Sequence, residues 1–101
     1  MKYDKLVRDN IPEIIKRDGK SAKIHIADDV EYDKRLKEKL LEEANEFARS
    51  GNPEELADVL EVVYAIAINK NIHKVQLESI VQKKRNEKGS FEKRIVLEEI
   101  R

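Results

Sequence analysis

The chain has 101 residues, with 21 Lys and Arg balanced by 21 Asp and Glu, so its formal net charge is zero. This balance argues against a field that attracts nucleic acid or an anionic membrane. The absence of cysteine excludes a disulfide framework, a thiolate nucleophile and a cysteine-ligated zinc site. No run of about 18 apolar residues and no signal-peptide pattern is seen, so we expect one cytoplasmic domain over residues 1–101.

A short helix is predicted near the N-terminus. Pro12 suits its first turn, Asn10 is its candidate N-cap, and Gly19 can end it. Lys5 and Arg8 lie just before this helix. They form either a solvated, charged lead-in or a phosphate-binding pair that the fold brings near acidic residues.

The next stretch predicts a short extended segment followed by a long helix. Residues 22–27 alternate between apolar and polar, which suits an extended segment or an edge strand with His25 at the surface. Asp28 followed by Glu31 is a capping-box pattern. We expect a helix from Asp29 to Ser50, whose apolar arc is formed by Leu36, Leu40, Ala44 and Phe47.

Two further helices follow. Gly51 and Pro53 separate the first long helix from a second one, which is expected to end near Asn69. A third amphipathic helix is predicted over residues 73–88, with a basic C-terminal turn. The predicted fold class is therefore all-α: a small antiparallel helical bundle with a short extended segment near residues 22–27.

Two pairs of carboxylates are spaced three residues apart, Glu43 with Glu46 and Glu55 with Asp58. Each pair lies on one helix face, among or beside apolar positions. An isolated buried carboxylate is unfavourable, so these acids must be paired, protonated or bound to a cation. The short turn makes the two helices antiparallel neighbours, which can assemble an oxygen-ligand site for a hard divalent ion.

The competing metals fit the sequence less well. A di-iron carboxylate bundle needs Glu-x-x-His motifs, and neither His25 nor His73 has Glu three residues before it. Zinc is disfavoured because the chain has no Cys and only two His to serve as its usual ligands. Mg²⁺, or Mn²⁺ in its place, remains, since Mg²⁺ works beside phosphates that basic residues can hold. The alternative is a solvated acidic face, which would not carry aliphatic residues.

The second long helix is apolar almost all round, apart from Glu54 and Glu61, which we expect to face water. A small domain can hardly cover such a helix. We therefore expect a homo-oligomer that buries one side of it.

The acid pattern resembles the signature of the all-α nucleotide pyrophosphohydrolases. These include the MazG-like enzymes, the dimeric dUTPases and the phosphoribosyl-ATP pyrophosphohydrolase of histidine biosynthesis. The matching positions are Glu42, Glu43, Glu46, Glu55 and Asp58. The segments KLVRDNIPEII and GSFEKRIVL look like a phosphoribosyl-ATP pyrophosphohydrolase-like subgroup of the MazG-like enzymes, so the likeness covers essentially the whole chain. Asn10 departs from the pattern, where Lys is expected.

The resemblance implies a dimer or a dimer of dimers, and Mg²⁺-dependent cleavage between the α and β phosphates to give a nucleoside monophosphate and pyrophosphate. Carried over by position, it implies four metal ligands: Glu43, Glu46, Glu55 and Asp58. Glu42 would orient or deprotonate the attacking water, or serve a second metal. The candidates for holding phosphates are Lys5, Arg8, Lys84 and Arg94.

Three functions stay open on the sequence. The first is clearance of non-standard nucleoside triphosphates, and the second is hydrolysis of phosphoribosyl-ATP. The third is a non-catalytic helical interaction module of the same fold, which would bind no divalent ion.

Overall fold

A computed structural model describes residues 3–101, and Met1 and Lys2 lie outside the described residues. The helices of the described part are α1 (Ile11–Arg17), α2 (Asp29–Ser50), α3 (Pro53–Asn69) and α4 (Lys74–Lys88). No residue between 3 and 101 belongs to a strand, which confirms the predicted all-α class. None of these helices combines the length and the apolar character that crossing a bilayer requires.

Local capping sets both ends of α2. The Asp28 carboxylate accepts a hydrogen bond from the Glu31 backbone N–H at 2.8 Å, which satisfies one of the free donors of the first turn. At the other end Gly51 adopts a left-handed conformation with φ of 68°, and its N–H donates to the Phe47 carbonyl at 2.8 Å. The expected helix from Asp29 to Ser50 is confirmed, because both signals act within a few residues.

The helices α2 and α3 pack side by side and carry the core. Asn52 caps α3 by accepting a hydrogen bond from the Glu54 N–H at 3.0 Å, and Pro53 follows in the first turn. A connection of two residues makes the pair an antiparallel hairpin. The buried hydrophobic residues of the described chain are Leu36, Val62 and Ala67. Ala44, expected in the apolar arc of α2, is exposed.

The segment before α2 differs from the expectation in two details. Asn10 is the N-cap residue of α1, as predicted, but its backbone is helical and its side chain makes no capping hydrogen bond. A side chain caps best from an extended backbone, which Asn10 lacks. Residues 20–28 run outside helix and strand, so the edge-strand alternative is not realised in the described part of the chain. His25 is exposed, as expected, with Nε2 at 2.9 Å from the Glu31 carboxylate.

The helix α4 and the tail after it add little to the core. His73 is the N-cap of α4, and its backbone N–H donates a hydrogen bond to Gln76 Oε1 at 2.8 Å. The helix contacts α3 only, and none of its residues is buried. The tail from Gly89 onward is exposed throughout, including Phe91.

Gly51→Ala should lower the free energy of unfolding by about 1 kcal/mol, because a left-handed residue with a Cβ is strained. Nothing lies within 4 Å of the position that the new Cβ would take, so the backbone conformation alone sets the loss. Urea unfolding followed by circular dichroism measures it. Gly51→Asn is the control and should lose less, because Asn tolerates this conformation. Equal losses in the two variants would contradict the explanation.

Candidate functional site

The centre of the site is the carboxylate of Glu43 on α2. Glu43 is only 7% exposed and is the buried charged residue of the described chain, as its place on the apolar side of the helix predicts. Its Oε1 lies 3.2 Å from the Lys39 ammonium. Its Oε2 is buried and has no hydrogen-bond partner. A buried, unsatisfied carboxylate oxygen is unfavourable, and it can accept a donor or a cation.

The second helix contributes a matching atom. Glu55, in the first turn of α3, also has a buried Oε2 without a hydrogen-bond partner. It lines an open surface recess together with Glu46, Arg49 and Ser50 of α2. Two of the predicted metal ligands, Glu46 on α2 and Glu55 on α3, therefore line the same recess near the turn of the hairpin.

The segment before α1 contributes two basic side chains that form ion pairs with the acids. Lys5 Nζ donates to Glu42 Oε1 at 2.9 Å, and Arg8 Nη2 donates to Asp58 Oδ1 at 2.8 Å. The first contact joins this segment to α2 and the second joins it to α3. Two of the four phosphate-binding candidates, Lys5 and Arg8, are thus neighbours of acids that are far from them in the sequence.

A third contact fixes the same segment. The Arg35 guanidinium of α2 donates to the Asp4 carbonyl at 2.9 Å and to Asp4 Oδ1 at 2.8 Å. It also donates to Glu31 Oε2 at 3.2 Å. The hydrogen bond from His25 is the main cause that lowers the pKa of Glu31, and Arg35 adds to it. This cluster holds the segment at the N-terminal end of α2.

Lys39 is a site residue that the sequence interpretation missed. Its ammonium lies 3.2 Å from Glu43 Oε1 and 3.5 Å from Glu42 Oε2, and its side chain is 16% exposed. The available signal was spacing, because a lysine three and four residues before two acids lies on the same helix face. Lys39 supplies the positive charge that a buried Glu43 requires.

The electrostatics of Lys5 and Glu42 are coupled. The hydrogen bond from Lys5 is the main cause that holds the pKa of Glu42 below its ordinary value. In turn this hydrogen bond raises the pKa of Lys5, and the charges of Glu42, Glu46 and Glu43 raise it further. The Lys5 ammonium therefore lies in the field of three carboxylates of α2.

These side chains fit a hard divalent ion in donor type. Carboxylate oxygens are the ligands that Mg²⁺ and Mn²⁺ take, and Glu43 and Glu55 each keep one buried oxygen unpaired. Between residues 3 and 101, no three His, Asp or Glu side chains already converge on one ligand position. Binding of an ion would therefore require carboxylates such as Glu42 and Asp58 to turn from their basic partners.

The other two phosphate-binding candidates lie apart from the acids. Lys84 is exposed on α4, which contacts α3 and not α2, and Arg94 is exposed in the tail with φ of 60°. Neither forms an ion pair with an acid of the site within residues 3–101. Their role stays a prediction.

Comparisons of the chain with protein-family models, curated proteins and solved structures give no match. The resemblance to the nucleotide pyrophosphohydrolases accordingly stays a prediction, and so do the roles that it implies.

The contact between Lys5 and Glu42 should persist over a defined pH window. The pKa of Glu42 is lowered from 4.5, so the stabilising contribution is complete above pH 4.5 and is lost as the pH falls through the lowered value. The pKa of Lys5 is raised from 10.5, so the contribution is complete below pH 10.5 and is lost as the pH rises through the raised value. The carboxyl ¹³C NMR shift of Glu42 should be constant above pH 4.5 and should change only as the pH falls below it.

Two variants control this titration. Lys5→Gln should raise the pH at which the Glu42 carboxyl titrates, whereas Lys37→Gln, which breaks the exposed pair with Asp33, should leave that pH unchanged. A Glu42 carboxyl that titrates at or above pH 4.5 in the intact protein would show that Lys5 does not hold it.

Proposed function

We propose that the chain is a Mg²⁺-dependent nucleotide pyrophosphohydrolase. It would cleave the α–β phosphate bond of a nucleoside triphosphate and release the monophosphate and pyrophosphate. The supporting observation is the pair of buried, unpartnered oxygens on Glu43 and Glu55, beside acids that hold Lys5 and Arg8. Oxygen ligands for a metal and cations for phosphates are what hydrolysis of a phosphoanhydride requires.

Each side chain has a distinct role in this proposal. The metal ligands would be Glu43, Glu46, Glu55 and Asp58. A bound Mg²⁺, or Mn²⁺ in its place, supplies neutralisation of phosphate charge and a water of lowered pKa. Glu42 would orient or deprotonate the attacking water, or serve a second metal. Lys5 and Arg8 would hold the phosphates that do not react.

The substrate range is part of the proposal. Clearance of non-standard nucleoside triphosphates in the cytoplasm is the first candidate, and phosphoribosyl-ATP, which carries the same α–β phosphoanhydride, is the second. Both place the same bond against the same acids, so the phosphate site serves either. Recognition of the base depends on surfaces beyond the acids.

We further propose that the protein works as a homodimer or homotetramer. Leu56, Leu60 and Ile68 of α3 and Val75 of α4 expose much of their side chains, and Leu60 is 48% exposed. The radius of gyration is 17.7 Å, against about 13 Å for a compact domain of about 100 residues. An elongated chain with apolar helix faces buries them best against a second copy.

The enzyme proposal predicts Mg²⁺-dependent release of pyrophosphate from at least one nucleoside triphosphate or from phosphoribosyl-ATP, abolished by EDTA. Glu55→Gln should lower the rate on the order of 100-fold, because it removes a charged ligand of the metal that neutralises the reacting phosphates. The matched control is Glu61→Gln, an exposed position on the same helix, which should keep full activity. Pyrophosphate release over a substrate panel measures both.

If the folded protein released pyrophosphate from none of the substrates, the catalytic proposal would be contradicted. The non-catalytic interaction module would then lead, and it predicts that no divalent ion binds. Equal activities for Glu55→Gln and Glu61→Gln would instead remove Glu55 from the metal ligands.

The oligomer proposal predicts a mass of two or four chains in light scattering. Leu60→Lys should shift the distribution towards monomer, because it places a charge in the apolar interface. Leu60→Met keeps the apolar surface and should leave the mass unchanged. A monomeric wild-type protein at micromolar concentration would contradict the proposal.

A further inference from the structure

The carboxylates beside the centre of the site are already neutralised by the chain itself. Glu42 and Glu43 face two ammonium groups, those of Lys5 and Lys39. The Glu43 side chain is nine-tenths buried and keeps one oxygen unpartnered, so the cluster can still accept a cation there. A divalent ion that entered would bring two more positive charges to a pair of acids that is balanced. The ion and the two ammonium groups repel one another, so the ion binds more tightly when one of these resident cations leaves.

The two lysines differ in their freedom to leave. Lys39 is on the third turn of the long helix α2, and its side chain is 16% exposed. Lys5 precedes α1 in a segment outside helix and strand, and its side chain is 40% exposed. A long side chain on an irregular segment can move its ammonium by rotation about its own bonds, while the helix fixes Lys39 near Glu43.

We propose that Lys5 is an exchangeable counter-ion. In the free protein its ammonium occupies the carboxylate cluster of α2. When a divalent cation binds these acids, Lys5 moves to the negatively charged phosphates of the nucleotide. This inference rests on the proposed function, and it assigns to Lys5 a role that ordinary phosphate binding does not include: competition with the metal in the absence of nucleotide.

Exchange makes the metal and the nucleotide cooperative. The metal alone has to displace Lys5 into water, whereas the metal together with a nucleotide gives Lys5 a phosphate partner. Each ligand therefore strengthens the binding of the other, as linkage requires. A lysine that only binds phosphate would instead leave the affinity for the free metal nearly unchanged.

The test uses the full chain and Mn²⁺, whose binding is followed by electron paramagnetic resonance. Lys5→Gln should bind Mn²⁺ alone more tightly, on the order of 10-fold. It should also bind the Mn²⁺ complex of an α,β-methylene nucleoside triphosphate, which is not cleaved between these phosphates, more weakly than the wild type does. Lys37→Gln removes an exposed α2 lysine that pairs with Asp33, and both of its affinities should match the wild type.

The outcomes separate this inference from the proposed function. Equal Mn²⁺ affinities for wild type and Lys5→Gln, with pyrophosphate release intact, would overturn the exchange and leave the enzyme. Absence of Mn²⁺ binding in every variant, both alone and with the nucleotide analogue, would overturn both. If Lys5→Gln fails to fold, the wild type decides: Mg²⁺ should shift the Lys5 side-chain NMR signals, and an unchanged signal at saturating Mg²⁺ would overturn the exchange.

Discussion

The ion pair between buried Glu43 and Lys39 is the constraint on which the rest of the site depends. A carboxylate inside the α2–α3 hairpin is tolerated only if a positive charge accompanies it, and Lys39 lies one helical turn away with its ammonium at 3.2 Å. The pair leaves one oxygen of Glu43 unsatisfied. That oxygen and the unpartnered Oε2 of Glu55 are buried polar atoms of the hairpin. Hydrophobic side chains at these two positions would leave no such atoms.

The N-terminal segment connects this centre to its surroundings. It is held by Lys5 on Glu42, by Arg8 on Asp58 and by Asp4 on Arg35. Such partly exposed ion pairs each contribute little to stability, so three of them position a segment without locking it. A segment that is held in this way can keep its cations near the acids and still release them to a phosphate group. The loose attachment and the proposed exchange of Lys5 therefore have the same physical origin.

The surface outside the hairpin leaves many apolar residues uncovered. The hairpin is the main packed unit, while α1 and α4 bury no residue. The apolar residues of α3, α4 and the tail have more exposed area than the small core can cover. Burial of apolar surface drives both folding and association. The apolar helix faces that one chain leaves exposed therefore favour association with a second copy. The acids lie on the hairpin itself, so a partner can cover the outer faces without filling the site.

The sequence by itself determined the helices and the burial of Glu43. Caps such as Asp28 with Glu31, and breaks such as Gly51, act within a few residues, and helical periodicity places Glu43 on the core side of α2. Only the tertiary structure decided which basic side chains form ion pairs with the acids. Lys5 and Arg8 pair with acids 37 and 50 residues away, and no local pattern encodes such a contact. The same holds for the exposure of Ala44 and for the missing side-chain hydrogen bond of Asn10, since the first depends on which face of α2 is covered and the second on the backbone path before α1.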